Sequence, residues 1–223
     1  NFNLSEEIDI WTHFQPMIQV GGDIYNIHKI NNTHYRIFLA DATGHGVQAA
    51  LTTMIINSEY DKLKHKYQYP NELLFYLNNN FMNKYFNLTV FFTCVVVDIN
   101  LEKEKIYFSS AGHPEQYIID ENKIQTLNAR GKMIGIIENM KFELVNRNFF
   151  PGSKILLFTD GLFEDFSEEG KQLGEDGLIK IIDKYKMTNI KPLINGIIND
   201  VKGWRDNNSP NDDITLIGFE YKK

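Results

Sequence analysis

The chain contains 223 residues, of which 43% are hydrophobic and 23% charged, and this composition excludes a disordered protein. A chain of this length buries enough surface to form a core without disulfides or a structural metal. The formal net charge of −6 argues against nucleic acid as a main partner, because phosphate backbones are bound by clustered Lys and Arg.

Alternation of apolar and polar residues predicts strands, and a period near 3.6 residues predicts helices. The predicted strands cover residues 8–14, 24–30, 35–40, 90–99, 105–110, 116–119, 123–127, 142–149, 154–159 and 214–221. The predicted helices cover residues 47–66, 71–85, 174–186 and 191–202. In chain order the strands therefore come in batches, with one pair of helices in the middle and another near the end.

Short turns connect successive strands, and this implies antiparallel pairing. The pattern is typical of an α+β protein and not of a doubly wound parallel sheet. We therefore expect one domain over residues 1–223, built from two packed antiparallel β-sheets flanked by helical pairs, an α-β-β-α sandwich.

Three features concern the compartment and the extent of the chain. The apolar runs are too short to span a bilayer and the first ten residues are polar and acidic, so we expect a cytoplasmic fragment without membrane contact, although the full-length protein could be membrane-anchored. The single cysteine, Cys94, lies in the apolar run 90–97, which favours a buried structural thiol over a nucleophile. The chain begins at Asn1 and not at Met, so we expect a piece of a longer protein.

Aspartates stand at four junctions between predicted strands and loops, most of them beside glycine. They are Asp23, Asp41, Asp160 and the adjacent pair Asp212 and Asp213. Any one of them is consistent with a turn, because an Asp side chain accepts hydrogen bonds from nearby backbone N–H groups. Several carboxylates on one rim would repel each other, and a divalent cation such as Mg²⁺ or Mn²⁺ would relieve that repulsion. Paired cysteines or His-x-x-x-His spacings that would suggest zinc do not occur.

Five short motifs carry a family resemblance. In chain order they are Gly21-Gly22-Asp23, residues 41–51 (DATGHGVQAAL), Ala111-Gly112-His113-Pro114, residues 158–162 (FTDGL) and residues 212–216 (DDITL). With these motifs the chain resembles the bacterial SpoIIE/RsbU branch of the PPM (protein phosphatase 2C-like) metal-dependent Ser/Thr phosphatases, over roughly residues 8–221. The resemblance implies a β-sandwich with helices outside, in agreement with the pattern of elements.

The resemblance also implies a site that holds two ions, Mn²⁺ or Mg²⁺. The implied metal ligands are Asp23, Asp41, Ala42 through its carbonyl, Asp160 and Asp212, with Asp213 as the alternative to Asp212. Asp41 would bridge the ions, and the four aspartates Asp23, Asp41, Asp160 and Asp212 would be the catalytic residues. In such a site a water activated by the two ions would attack phosphorus in line, so no covalent phosphoenzyme would be required.

Other polar residues near these motifs have two interpretations each. His45 is either a general acid or a partner that orients Asp41, or it is structural, and for His113 we favour a structural role in loop packing. We expect three further acids to be ordinary turn or surface residues: Asp98, Asp120 and Asp165. An arginine that grips the substrate phosphate in eukaryotic-type relatives has no counterpart before Gly21, so substrate binding would depend on the metals and on docking of a protein partner.

The resemblance implies a phosphatase that removes phosphate from Ser or Thr of a partner protein, with a small phosphorylated anti-sigma-factor antagonist as the expected substrate. The chain would be the C-terminal effector part of a signalling protein with an upstream sensor domain, and helix 47–66 would couple that sensor or a homodimer interface to metal binding. The alternative is a catalytically silent protein-binding module, which would be expected to lack a metal aspartate. A nucleotide hydrolase is not favoured, because the chain has no phosphate-cradling Gly-x-x-x-x-Gly-Lys loop.

Overall fold

The computed structural model describes residues 6–44, 46–88, 90–206 and 208–222. The strands are β1 (Ile8–Gln15), β2 (Asp23–Lys29), β3 (His34–Ala42), β4 (Phe92–Asn100), β5 (Lys105–Ala111), β6 (Gln116–Asp120), β7 (Lys123–Leu127), β8 (Val145–Asn148), β9 (Lys154–Phe158) and β10 (Ile214–Tyr221). The helices are α1 (Gly46–Leu63), α2 (Pro70–Tyr85), α3 (Gly174–Tyr185) and α4 (Ile190–Trp204), with short 3-10 turns at Phe86–Leu88 and Asp160–Leu162.

The chain divides into two compact units, each with one five-stranded sheet. The first unit combines the described residues of 1–19, 116–126 and 150–223, and the second those of 20–115 and 127–149. The predicted α+β composition, with two antiparallel sheets and two pairs of helices, is confirmed. The single domain expected over residues 1–223 stays a prediction.

In the first unit the sheet has the strand order β1-β10-β9-β6-β7. The helices α3 and α4 contact each other, and α4 packs on β1 and β10. The core of this unit comes from one face of each helix and from the facing sides of the strands, because apolar residues recur there at helical spacing. Its helical members include Leu178, Ile182, Leu193, Ile194, Ile197 and Val201.

In the second unit the strand order is β2-β3-β4-β5-β8. β4 is central and rich in Val and Ile, which suits a strand buried on both faces. The helix α1 packs on β2 and β3, and α2 packs on β4 and β5. Cys94 is a free, fully buried thiol in β4, which confirms the structural interpretation.

Asp98 does not lie on the surface, contrary to the prediction. It is 1% exposed and forms a two-pronged ion pair with Arg36, whose Nε and Nη2 donate to Asp98 Oδ1 and Oδ2 at 2.6 and 2.7 Å. Arg36 Nη1 also donates to the carbonyls of Lys64 and Tyr67 just beyond α1. The pair therefore ties the end of α1 to the sheet, and the sequence prediction missed it because the two residues are 62 positions apart.

None of the helices within the described part of the chain is long and apolar enough to cross a membrane.

Candidate metal centre

Two of the predicted ligands face each other across a strand pair in the second unit. Asp23 begins β2, Asp41 lies near the end of β3, and the antiparallel register makes them direct partners. Side chains of such partners share one face of the sheet, with Cβ atoms about 4.5–5.5 Å apart, and like charges in this position are destabilising. Asp23 is 6% exposed, so water screens the repulsion poorly. A hard cation bound between these carboxylates would remove that cost.

The backbone beside this pair is packed closely. The Ala42 N–H donates to the carbonyl of Gly22 at 2.9 Å. A Cβ atom on Gly22 would lie 2.9 Å from the Ala42 carbonyl oxygen, so only glycine fits here without a shift of the backbone. The predicted backbone ligand, the Ala42 carbonyl, therefore lies next to the residue that precedes Asp23.

The strand next to β3 contains a further residue beside Asp41, which the sequence analysis did not single out as part of the site. Thr93 on β4 is the register partner of Asp41, and its Oγ1 shares a hydrogen bond of 2.7 Å with Nδ1 of His113. The buried His113 also donates its backbone N–H to Ser110 Oγ at 3.3 Å. These contacts support the structural interpretation of His113. Only the strand register identifies Thr93, because a lone Thr in an apolar strand carries no signal of its own.

His45, proposed from the sequence as a general acid or as a partner of Asp41, lies outside the described residues.

A second group of acids lies in the first unit. Asp160 follows β9 and begins the 3-10 turn Asp160–Leu162. Burial, together with the nearby carboxylates of Glu164 and Asp212, raises the pKa of Asp160 to about 6, against an opposing contribution from backbone hydrogen bonds. Burial is the main cause of the raised pKa, and the carboxylates of Glu164 and Asp212 add negative charge close to Asp160.

The adjacent acids Asp212 and Asp213 differ in their surroundings. Asp213 is buried, and its Oδ1 accepts the Met17 N–H at 2.7 Å. Asp212 is exposed and, with Gly161 and Glu164, lines a small cavity of about 140 Å³. A Cβ on Gly161 would overlap the carbonyl oxygen of Asp213, so the two loops approach as closely as glycine permits. This arrangement supports Asp212 over Asp213 as the ligand.

Asp165, predicted to be an ordinary turn or surface acid, is buried and paired with Arg205. Asp120 accepts a hydrogen bond from Ser153 Oγ at 2.8 Å and is half-buried at the end of β6, as a turn residue would be.

The donor set suits a hard divalent cation, because the predicted side-chain ligands are all carboxylates. Asp23 and Asp41 belong to the second unit, and Asp160, Asp212 and Asp213 to the first. Over residues 6–44, 46–88, 90–206 and 208–222, the structure contains no group of three or more His, Cys, Asp or Glu side chains arranged to hold a metal ion. Within each unit the acids provide oxygen donors of the kind that a hard divalent cation prefers.

Comparison with known families identifies the class of the protein. Residues 31–222 match the model of the family described as Stage II sporulation protein E (SpoIIE). The match spans most of the chain, so the chain belongs to the SpoIIE family.

Individual relatives agree with this assignment. The chain is 28% identical over 219 residues to the phosphoserine phosphatase RsbU of Bacillus subtilis (strain 168), and the match covers 97% of this chain and 64% of RsbU. The chain thus spans less than two thirds of the length of this relative.

Solved structures agree in fold. The SiaA-PP2C domain of Pseudomonas aeruginosa superposes with a TM-score of 0.87 at 20% identity, covering 96% of this chain and 86% of that one. RsbX, solved in complex with magnesium, superposes with a TM-score of 0.69 at 17% identity, covering 96% of this chain and 95% of RsbX. The chain therefore has the PP2C-type fold, and the predicted family is confirmed.

Proposed function

We propose that the chain is a Mn²⁺- or Mg²⁺-dependent protein phosphatase that removes phosphate from a serine or threonine of a regulatory partner protein. The observation that supports this most strongly is the register of β2 and β3, which sets Asp23 of the first motif directly opposite Asp41 of the second. Family membership and fold add independent support, as does the description of the relative RsbU as a phosphoserine phosphatase.

The residues that would hold two ions are Asp23, Asp41, the Ala42 carbonyl, Asp160 and Asp212. Divalent cations supply Lewis acidity toward phosphoryl oxygens and make water a usable nucleophile near neutral pH. The magnesium complex of the structural neighbour RsbX supports a divalent cofactor. We propose that either Mn²⁺ or Mg²⁺ serves, because both take all-oxygen ligand sets.

The chain's own residues bind and orient, and they are not expected to form a covalent intermediate. Burial raises the pKa of the Cys94 thiol well above its ordinary value, so this cysteine is a poor nucleophile. Asp213 is engaged with the Met17 N–H and would hold the segment that presents Asp212. Paired carboxylates rather than a side-chain nucleophile would therefore organise the reaction.

We further propose that the substrate is a small phosphorylated protein such as an anti-sigma-factor antagonist, that an upstream sensor domain controls the activity, and that the reaction takes place in the cytoplasm. The description of RsbU and the partial coverage of its length support this arrangement. On α1, three apolar residues at i, i+4 and i+7 are exposed by 70%, 58% and 68%, namely Val47, Leu51 and Met54. This stripe supports contact of α1 with the upstream region or with a second copy in a homodimer.

Hydrolysis of an aryl phosphate and of a phosphoserine protein, each with Mn²⁺ and with a chelator, tests the proposal. Loss of a residue that only hydrogen-bonds to a metal ligand typically lowers activity roughly 10–100-fold. Asp41→Asn should lower the rate of phosphate hydrolysis by more than this, because Asp41 would itself bind the metal. Asp120→Asn is the matched control, since Asp120 contacts Ser153 and belongs to neither acid group, and it should keep the wild-type rate. Failure of the wild-type chain to hydrolyse both substrates would favour the silent binding module instead.

A further inference from the structure

We infer that Asp165, Arg205 and Asn211 form a positioning network that fixes the loop after Asp160 and the segment before Asp212 in the geometry that a divalent cation requires. The inference rests on the proposed function, because it assumes that Asp160 and Asp212 bind metal. It assigns a positioning role to Asp165, which the sequence predicted to be an ordinary turn or surface residue.

The Asp165 carboxylate is the centre of the network. Its Oδ1 accepts hydrogen bonds from Asn211 Nδ2 at 2.7 Å and from the Phe166 N–H at 3.0 Å, and its Oδ2 accepts one from Arg205 Nη1 at 3.1 Å. Asp165 is 4% exposed and Arg205 is 3% exposed. Charge-assisted hydrogen bonds away from water are the strong ones, so this carboxylate is held firmly.

One side of the network leads to Asp160. The Glu164 N–H donates to the Asp160 carbonyl at 2.9 Å, and Asp165 follows directly. The Asp165 carbonyl in turn accepts the Leu173 N–H at 3.1 Å, which anchors this loop to the start of α3. A displacement of Asp165 would therefore move the turn that carries Asp160.

The other side leads to Asp212. Asn211 immediately precedes Asp212, so its hydrogen bond to Asp165 holds the segment that enters β10. Arg205 lies at the end of α4, where its backbone N–H donates to the Val201 carbonyl at 3.3 Å and its own carbonyl accepts the Asn208 N–H at 2.9 Å. One carboxylate thus connects the end of α4, the segment before Asp212 and the loop after Asp160.

The segments that the network connects surround a small cavity. Asp165 and Asn211 line the same cavity of about 140 Å³ as Gly161, Glu164 and Asp212. The separation of the acids around this space therefore depends on how firmly Asp165 and Asn211 are held. A ligand site needs groups held to within a fraction of an ångström by packed and hydrogen-bonded neighbours.

Stability alone does not explain the network. A buried ion pair contributes little net stability, and an apolar replacement is often as stable. Among the described residues, the buried Nε of Arg205 finds no hydrogen-bond partner, which a purely structural pair would be expected to avoid. A role in placing the neighbouring acids accounts for a charged group at this position.

Binding of Mn²⁺ alone to the full chain, measured by calorimetry, tests the inference. Asp165→Asn should raise the Kd for Mn²⁺ by about 10–100-fold, which is the usual effect of losing a residue that hydrogen-bonds next to the metal ligands. Asn211→Ala should also raise the Kd, but by less. In a hydrolysis assay the kcat of both variants should recover at saturating Mn²⁺, because the loss lies in metal binding.

The matched control is Asp98→Asn, which breaks an equally buried Asp–Arg pair in the other unit. It should lower the free energy of unfolding but leave the Kd for Mn²⁺ unchanged. An unchanged Kd in both Asp165→Asn and Asn211→Ala would overturn the inference while leaving the proposed function intact. Absence of Mn²⁺ binding by the wild-type chain would overturn both the inference and the proposed function.

If Asp165→Asn does not fold, the variant of the exposed Asn211 still tests the inference. A wild-type Kd for Mn²⁺ in Asn211→Ala would then contradict it.

Discussion

Glu59 shows how a single buried carboxylate can stabilise a pair of helices. Its side chain is 1% exposed, and it accepts hydrogen bonds from Lys62 Nζ at 2.7 Å, Lys84 Nζ at 2.8 Å and Tyr85 OH at 3.0 Å. Burial by itself would raise the pKa of Glu59, but these donors outweigh it and lower the pKa to about 2. Asn80 Nδ2 also donates to Glu59, at 3.2 Å. Because Lys62 lies on α1 and the other three donors lie on α2, the carboxylate holds the two helices together.

The lowered pKa of Glu59 gives a pH dependence with a definite sign. The ionised form is favoured by folding, so its contribution is complete above the ordinary pKa of 4.5 and is lost as the pH falls from about 4.5 to about 2. We expect Glu59→Gln to lower the free energy of unfolding at pH 7 by about 2 kcal/mol, a typical value for hydrogen bonds to charged groups.

Urea unfolding at pH 7 and at pH 3 measures this effect. The difference between wild type and Glu59→Gln should shrink at the lower pH, because the wild-type carboxylate is then losing the advantage that the variant lacks. A difference that is the same at both pH values would show that Glu59 acts by packing and not by charge.

Single residues also mark the limit of what the sequence predicts. The motif positions of Asp23, Asp41, Asp160 and Asp212 were visible because the chain resembles a known family. The buried states of Asp98 and Asp165 were not, because their partners Arg36 and Arg205 are 62 and 40 positions away. An acid near a turn looks the same in a sequence whether its partner is water or a buried arginine.

At the scale of elements, periodicity predicted most helices and strands, and the errors lie at their ends. α1 ends at Leu63, three residues earlier than predicted, where Arg36 binds the carbonyls of Lys64 and Tyr67. β8 covers only Val145–Asn148 of the predicted strand 142–149, since it pairs only with Lys105–Phe108 of β5. Both differences come from tertiary partners, which periodicity does not report.

The register of β2 and β3 leads to a prediction about stability without metal. Asp23 and Asp41 are like charges on directly opposed positions, so Asp23→Asn should raise the free energy of unfolding of the metal-free chain by about 0.5 kcal/mol. The same substitution should abolish the stabilisation by Mn²⁺, which for the wild type amounts to about 2.7 kcal/mol at a Mn²⁺ concentration 100 times the Kd.

Thermal or urea unfolding with and without Mn²⁺ checks both parts of this prediction. Asp120→Asn serves again as the control and should respond to Mn²⁺ as the wild type does. A metal-free Asp23→Asn variant that is less stable than the wild type would show that the two carboxylates are not in unfavourable contact.

For the molecule as a whole, the family and the presence of two sheets and two pairs of helices could be predicted from the sequence. The division of the chain into two units could not. The first unit collects strands from three separate parts of the chain, and β1 pairs with β10 so that Ile8 lies opposite Tyr221. Local patterns predict that strands exist, but pairing between the two ends of a chain depends on contacts that only the folded structure supplies.

We propose that this member of the SpoIIE family hydrolyses a phosphoprotein with the help of bound divalent cations. The most direct test counts the Mn²⁺ ions bound per chain by equilibrium dialysis and measures phosphate release from a phosphoserine protein in the same samples. We expect two ions per wild-type chain, with release that stops when a chelator removes them and that is lost in Asp41→Asn. Phosphate release that continues at an unchanged rate in the metal-free chain would contradict the account.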